Sequence, residues 1–504
     1  MAGLAVLLRA RGCEVSGCDL KETLRTKWLG SQGIRVFIGH SPEHLAIADE
    51  VIVTPAVSPA EGELLRARAR SIPVRCRGEV LAELVNGSDG IAVCGSHGKT
   101  TTATWIAKLL LALGENVSWC IGGETGSFPV AGTRQSDSPA IRQSVNPLVV
   151  EADESDGTLA LYRAKTLVVN KCEYDHPDHF TTEADYFACY ERAKQPAGEV
   201  IEAEGLGGLE GLEGLGGLAP HNRTNARAAV EVALRRGHSI ESIAKALPAV
   251  VAELPDRRFQ KIAEGVYIDY GHHPTDMKCA VQMARARCQG RLRVLFQPHR
   301  YSRTKALLGD FPAAFDGADE VVLCPTYAAF EQPVEGGDVA DLYAACRAQG
   351  VRGLYLARSC EEAWTHAKRS AASGDLTLVL GAGDIVNRLA ELPPQRLRIG
   401  AGANTWKSDL NLPVEYVKTS GPAGTFGSFF KNPAGDSAGR LLEAAGAKDL
   451  RVGGAYVWRE RANVIVRGEG ATPSDVLALA HLMRNRVLFR FGVSLEPEVQ
   501  GVAI

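Results

Sequence analysis

The sequence predicts an α/β protein built on parallel, doubly wound sheets, and three observations carry that expectation. Short, continuous runs of β-branched and other apolar residues recur along the chain, bounded by Gly, Pro and polar residues. Such runs suit strands buried on both faces of a parallel sheet. Amphipathic stretches of helical period alternate with them, the order that lays helices over both faces. One run passes through a glycine-rich turn straight into a helix, the kind of junction where open α/β sheets hold ligands.

Taken in order, the expected strands are Val51–Thr54, Ile91–Cys94, Leu148–Glu151, Leu167–Asn170, Val266–Asp269, Val294–Gln297, Val321–Cys324 and Leu376–Leu380. Between them lie helices such as Thr102–Leu113, whose Trp105, Ile106, Leu109, Leu110 and Leu113 make one apolar stripe. Two stretches break the alternation. Glu204–Leu218 is a repeat of Gly, Leu and Glu, whose glycines oppose a helix or strand and predict a flexible loop. Around Pro393–Gln395 the composition turns richer in Gly and Phe, and a domain boundary is expected there.

The chain has 504 residues, enough for about three or four domains. A net charge of −3 offers no support for a nucleic-acid partner, which usually leaves a basic excess. The first residues, MAGLAVLLRARGCEVSG, form too short an apolar run to span a membrane and carry no cleavage site. The 12 cysteines include no C-x-x-C pair and no Cys/His cluster at zinc spacing. Buried free thiols in a reducing, cytoplasmic compartment are expected.

The sharpest motif is Ile91–Thr102, IAVCGSHGKTTT. Its glycines let the backbone N–H groups turn towards a phosphate, and the helix that follows adds its positive end. Lys99 is placed to reach the β/γ-phosphates, and the Thr100 hydroxyl to ligand Mg²⁺. The gap between the glycines is shorter than in the general phosphate-loop pattern, and a glycine turn with a chance Lys-Thr is the plain alternative.

Further strand ends carry polar clusters. LVVEADESD delivers Glu151, Asp153, Glu154 and Asp156, and the run after Asn170 delivers Glu173, Asp175 and His176. A carboxylate there would complete a Mg²⁺ shell, the alternative being a solvated acidic loop. Downstream come HNRTN (His221–Asn225), Arg257-Arg258-Phe259, IDYGHHPTD (Ile268–Asp276) and FQPHRYSRT (Phe296–Thr304). Arg300 and Arg303 are placed to clamp a carboxylate or phosphate, or to sit in surface ion pairs.

These motifs, with GAGDI near Gly381, stand in the order and approximate spacing of the Mur ligase family, and DYGHHPT and FQPHRYSRT resemble its alanine-adding branch. The resemblance covers roughly Met1 to Pro394. It implies a UDP-binding Rossmann-like domain (1–88), a central ATPase domain (89–255) and a C-terminal Rossmann-like domain (256–394). It implies a cytoplasmic enzyme of peptidoglycan precursor synthesis that uses ATP and Mg²⁺ to join L-alanine to UDP-N-acetylmuramate through an acyl phosphate. Carried over by motif, Gly95, Ser96, His97, Gly98, Lys99, Thr100 and Thr101 hold the nucleotide's phosphates. Thr100, Glu151 and His176 resemble the Mg²⁺ ligands, although spacing does not separate Glu151 from Glu154. His221, Asn222 and Asn225 match a nucleotide-contacting motif, Arg258 a phosphate-contacting arginine, and Asp269 a ribose-side acid. Tyr270, His272, His299, Arg300 and Arg303 match the region that orients alanine and the acyl phosphate.

Three departures from the family pattern are expected to matter. Met1-Ala2-Gly3 falls inside the family's first helix, so the strand and glycine turn that receive the UDP diphosphate are expected to be missing. Only Gln195–Ala219 stands where the family's central domain continues with more strands. Beyond Arg396 the chain resembles the flavoprotein reductases of UDP-N-acetylenolpyruvoylglucosamine, and a small α+β domain over 395–504 is expected. IGAGANTWKSDL (Ile399–Leu410) is similar to their flavin-diphosphate loop. GSFFKNP (Gly427–Pro433) and LEPEV (Leu495–Val499) resemble their closing segments, with Ser428 and Glu498 as proton donors. What remains does not build an FAD pocket, and leaves room for a separate reductase or another cell-wall enzyme as partner. Two other readings stand beside the ligase: a relic that binds ATP or a UDP-sugar without turnover, and a bifunctional ligase–reductase.

Overall fold

The computed structural model describes residues 1–54, 57–58, 60–123, 128–133, 146–207, 212, 215, 218–369, 371–390 and 427–499. They fall into two compact units, Met1–Asp256 and Arg257–Ile504. The flavin-loop-like stretch Ile399–Leu410 and the boundary at Pro393–Gln395 lie outside the described residues.

The first unit is centred on a six-stranded sheet in the order Glu199–Glu202, Thr166–Val169, Asp89–Cys94, Pro147–Glu151, Ser118–Cys120, Ala131–Thr133. All pairings are parallel except the last. The apolar runs that predicted these strands are buried on both faces. Lys99–Ala112, Pro220–Arg235 and Ile240–Val251 pack on one side, and Ala2–Ala10, Arg77–Asn86 and Glu183–Lys194 on the other. Four residues of the expected stripe, Trp105, Ile106, Leu109 and Leu110, are buried in the first of these cores, with Leu113 partly buried beside them. Before the sheet come two small parallel pairs, Ser16–Asp19 with Arg35–Ile38 and Val51–Val53 with Val74–Cys76, in place of one continuous sheet.

Part of the Gly-Leu-Glu repeat lies outside the described residues. Its described residues from Leu206 onward form no helix or strand, yet Leu212 and Leu215 are 7% and 6% exposed and belong to the core under the phosphate-loop helix. Leu206 and Leu218 pack against the same core. Leucine recurs at every third position of the repeat. Burial of these leucines ties the described part of the segment to the core, against the entropy its glycines add.

The second unit carries a six-stranded sheet in the order Gln260–Ala263, Val266–Asp269, Leu376–Leu380, Leu292–Phe296, Glu320–Leu323, Leu354–Leu356, parallel except at its first pair. Arg293 is fully buried in it and donates to Glu320 Oε2 (2.8 Å) and Asp375 Oδ2 (2.9 Å). The C-terminal segment adds an antiparallel meander, Arg451–Val452, Ala455–Val457 and Ile465–Arg467, and the long helix Pro473–Phe491. That helix packs on Val339–Ala348 of the same unit. Asp475 is fully buried at the join and accepts hydrogen bonds from Tyr343 (2.9 Å), Arg347 Nε (3.0 Å) and the Thr472 amide (2.8 Å). No helix of the described residues is long and apolar enough to cross a membrane.

Two stability measurements follow. Replacing both Leu212 and Leu215 by Ala removes buried methyl groups and lowers unfolding stability by about 3–6 kcal/mol in urea titration, where a truly loose repeat would show no change. Asp475→Ala strips the acceptor from Tyr343 and Arg347 and costs about 2–4 kcal/mol by the same assay.

Candidate active site

The phosphate loop is shaped by what stands behind it. Gly95 (φ +122°) and Gly98 (φ +77°) hold backbone angles that L side chains rarely adopt. A Cβ on Gly95 would lie 2.8 Å from Asn170 Cβ, and one on Gly98 would lie 2.4 Å from Asn225 Oδ1. Asn170 ends the neighbouring strand and donates to Thr102 Oγ1 (3.0 Å). Asn225 donates to Asn222 Oδ1 (3.2 Å) on the first turns of the Pro220–Arg235 helix. The HNRTN motif therefore stands directly against the loop, and His221 begins the same turn. Asn170 had no motif to mark it; only its place at a strand end pointed to it.

Ser96 and His97 tie the loop to the adjoining strand end. Ser96 donates to the Glu173 carbonyl (2.6 Å) and accepts from the Glu173 amide (2.7 Å), while His97 Nε2 donates to Glu173 Oε2 (2.9 Å). Thr101 is buried in the first turn of the helix.

The two glutamates that spacing left open take different hydrogen-bond partners. The Thr100 hydroxyl lies 3.0 Å from both Glu151 oxygens, and Glu151 Oε2 also accepts from the Gly122 amide (2.7 Å). Lys99 Nζ instead donates to Glu154 Oε1 (2.8 Å) and Oε2 (2.9 Å) and to the Gly95 carbonyl (2.6 Å). His176 Nε2 lies 3.7 Å from Glu154 Oε1, and Asp153 completes that group, with ligand atoms within 4.8 Å of one another. Burial opposes the Lys99 charge, but Glu154, Asp153 and Glu151 outweigh it and push its pKa up. Burial likewise opposes ionisation of Asp153, and Lys99 and His176 reverse this and hold its carboxyl below the usual range.

These donors fit Mg²⁺ and a nucleotide's phosphates. A hydroxyl with carboxylate oxygens is the hard-oxygen set Mg²⁺ prefers, and the glycine turn, packed against Asn170 and Asn225, leads into the N-terminus of the helix Lys99–Ala112.

In the second unit the expected residues converge on the ends of its sheet. Asp269 is buried and accepts from the Phe259 amide (2.7 Å) and the Gly271 amide (2.7 Å). Burial raises its pKa to about 6, with Arg258 and the two amides opposing the rise. The guanidinium carbons of Arg257 and Arg258 each lie 4.8 Å from the centre of the Tyr270 ring. His272 Nδ1 donates to the Tyr270 carbonyl (3.1 Å), and its ring centre is 5.6 Å from that of His299. His299 stacks on Tyr327, 5.5 Å away, and Tyr327 in turn would block any Cβ on Gly383 of the GAGDI turn. Sequence reading did not single out Tyr327, which belongs to no motif.

Arg300 and Arg303 do not make the open clamp their spacing suggested. Arg303 is buried and donates to His299 Nδ1 (3.1 Å), whereas Arg300 pairs with Glu331 (3.5 Å). Arg300 holds φ +72° at the start of a short helix, which turns the two side chains to different partners.

In the C-terminal segment the Phe429 carbonyl accepts from the Glu498 amide (2.8 Å). Ser428 and Glu498 thus lie on facing strands, and both residues are exposed.

A phosphate loop backed by acidic strand ends on a doubly wound sheet defines the class: an α/β nucleotide-binding enzyme. The chain belongs to the Mur ligase family. Residues 1–88 match the model of the Mur ligase family catalytic domain, and residues 257–383 that of the Mur ligase glutamate ligase domain. Residues 419–502 match the C-terminal domain of UDP-N-acetylenolpyruvoylglucosamine reductase. UDP-N-acetylmuramate–L-alanine ligase of Rhizobium johnstonii is 33% identical over 460 residues, spanning 78% of this chain and 94% of that one. The enzyme of the same name from Gloeobacter violaceus is 35% identical over 439 residues, spanning 78% and 93%. The solved UDP-N-acetylmuramate–alanine ligase of Thermotoga maritima shares the fold at a TM-score of 0.61 and 24% identity, over 78% of this chain and 96% of its own.

The buried Asp269 gives a pH test. Its folded-state pKa of about 6 lies above the ordinary value of 3.8, so the folded chain binds the extra proton. The stability it contributes is present below about 4 and is lost as pH rises through 6. The stability difference between wild type and Asp269→Asn, measured by urea unfolding, therefore falls from pH 4 to pH 7 and is flat above that.

Proposed function

We propose that this chain joins L-alanine to UDP-N-acetylmuramate at the expense of ATP, in the cytoplasm, as a step of peptidoglycan precursor synthesis. The observation that carries the reading is the pairing of Thr100 with Glu151 and of Lys99 with Glu154 beside a glycine turn. The names of relatives above 30% identity over most of the chain support the same reaction.

In this reading a carboxylate oxygen of the substrate's lactyl group attacks the γ-phosphorus of ATP, and ADP leaves. The alanine nitrogen then attacks the acyl carbon of the resulting acyl phosphate. The C–N bond forms, the bond to phosphate breaks, inorganic phosphate departs and the amine gives up a proton. The loop amides and Lys99 meet the charge on the transferring phosphoryl group, and stabilising that charge is the main demand of such a step. Thr100 and Glu151 would hold Mg²⁺, which supplies further positive charge when bound. His176 lies with Glu154 and Asp153 and serves to hold those carboxylates in place, with Lys99 between them and the phosphate. Asn222, Asn225 and His221 back the loop for the nucleotide. Asp269, Arg258 and Tyr270 serve the nucleotide side in the second unit. His272, His299 and Arg303 form one group joined by ring contact and a hydrogen bond, suited to orienting a small amino acid, with Arg300 beside it.

The C-terminal segment acts in this reading as a fastened appendage of the second unit. The solvent-facing Ser428 and Glu498 support that over a working reductase pair.

Phosphate release should require ATP, Mg²⁺, UDP-N-acetylmuramate and L-alanine together, and omission of any one should stop it. Lys99→Ala should lower turnover at least ~10²–10³-fold, since one preorganised charge is lost from the transferring phosphoryl group. Release that continues without L-alanine, or a Lys99→Ala enzyme with unchanged turnover, would defeat the proposal.

A further inference from the structure

Along the sequence the cysteines show no zinc spacing, but the fold brings one of them into a mixed cluster far from the phosphate loop in sequence. Cys18 lies on the strand Ser16–Asp19, His40 just after the paired strand Arg35–Ile38, His44 in the short turn of helix Pro42–Leu45, and Glu63 at the start of the helix Gly62–Ala69. The Cys18 Sγ is 3.1 Å from His40 Nδ1 and 3.1 Å from Glu63 Oε2. His44 Nδ1 is 2.7 Å from Glu63 Oε1, and His40 Nδ1 is 3.6 Å from Glu63 Oε2. The ligand atoms of Cys18, His44 and Glu63 all lie within 4.8 Å of one another.

We infer that Cys18, His44 and Glu63, with His40 beside them, form a site for Zn²⁺ or a similar borderline-soft divalent cation. A thiolate, an imidazole and a carboxylate are donor types zinc takes, and His40, 3.1 Å from the Cys18 Sγ, stands next to them as a further imidazole. With zinc–ligand bonds of about 2.0–2.3 Å in a tetrahedron, neighbouring donor atoms stand about 3.3–3.7 Å apart. The separations of Cys18–His40, Cys18–Glu63, His44–Glu63 and His40–Glu63, 2.7–3.6 Å, are those of donor atoms drawn slightly inward onto hydrogen bonds. Small outward shifts of the side chains admit the ion, while the thiol releases its proton.

The surroundings hold the donors in that arrangement. The His44 ring stacks on Phe37, with centres 4.2 Å apart and planes 13° apart, which sets its orientation. The Ser41 amide donates to Glu63 Oε1 (3.1 Å), a supporting bond of the kind that orients metal-ligating carboxylates. Gly39, at φ +89°, donates to the Asp19 carbonyl (2.8 Å) and turns His40 back towards the first strand. A cation here would join both small strand pairs, because Cys18 and His40 flank one pair and Glu63 belongs to the helix that leads into the other. The inference does not depend on the ligase reading.

The test uses the full reduced chain, stripped with chelator and reloaded with Zn²⁺ or Co²⁺ alone. One tightly held ion per chain is expected, with the thiolate-to-cobalt charge-transfer band and the intense visible bands of tetrahedral Co²⁺. Cys18→Ser and His44→Asn should each weaken binding by more than about 10²-fold, since loss of a mere supporting partner already costs 10–100-fold. Cys13→Ser, at a neighbouring exposed thiol, should bind as wild type does. Alkylation of the wild-type chain, mapped by mass spectrometry, guards against variants that misfold: Zn²⁺ should protect Cys18 and leave Cys13 reactive, and chelator should restore reactivity at Cys18. Absence of the charge-transfer band, its persistence in Cys18→Ser, or Cys18 alkylated at the same rate with and without Zn²⁺ would overturn the assignment.

Discussion

The buried ammonium of Lys99 is the constraint around which the first unit is arranged. A cation taken out of water must be paired and fully hydrogen-bonded, and leaving it alone costs about 3–5 kcal/mol. Glu154, itself fully buried, supplies the pairing, and the Gly95 carbonyl supplies a further acceptor. That requirement fixes the end of the Pro147–Glu151 strand relative to the loop. Once Glu154 is committed to Lys99, Glu151 is left to face Thr100 and the Gly122 amide. The division of labour between the two glutamates is therefore a consequence of one buried charge. An anionic phosphate arriving at the loop would meet a lysine already held in position, with its entropy of ordering largely spent.

How far the sequence foretold this depends on the range of each interaction. The strands were legible because burial on both faces writes itself as unbroken apolar runs, and the loop because a strand, a glycine turn and a helix are contiguous. The choice between Glu151 and Glu154 was not legible, because it is set by which side chain reaches a lysine some fifty positions away. Asn170 and Tyr327 were missed for a similar reason: each acts as a wall against a glycine of another segment, and neither belongs to a motif. Arg300 and Arg303 misled in the opposite sense. Their spacing suggested a fork, but a positive φ at Arg300 and an acceptor on His299 send them to different partners.

Within the Gly-Leu-Glu repeat glycine raises the entropy cost of ordering, and the described leucines Leu206, Leu212, Leu215 and Leu218 act as apolar anchors against it. With Leu212 and Leu215 buried beside Trp105 and Leu109, the repeat supplies core to the helix that carries Lys99 and Thr100. The C-terminal segment is held on a different principle. Its long helix packs on Val339–Ala348 and carries a buried carboxylate, Asp475, which also caps its own helix and accepts from Tyr343 and Arg347, while Ser474 beside it accepts from the Leu356 amide. A single group that serves both folding of the segment and its attachment couples the two, so the segment is ordered where it is docked.

The residues ahead of the central sheet face the hardest energetic problem. They form two separate two-stranded pairs, and isolated pairs are marginal in water without a covering element. Their own apolar cluster is small, with Val6, Ile34 and Ala131 as its buried members, and Ala131 belongs to the edge of the central sheet. The helix Ala2–Ala10 helps by packing on that edge so closely that a Cβ on Gly3 would come within 2.8 Å of Cys120 Sγ. Beyond that, order rests on polar fastenings such as the bonds around Glu63. Polar fastenings stabilise modestly in water, because each replaces a bond to solvent. Metal–ligand bonds do not share that weakness, and a cluster of thiol, imidazole and carboxylate stands where the apolar core is thinnest.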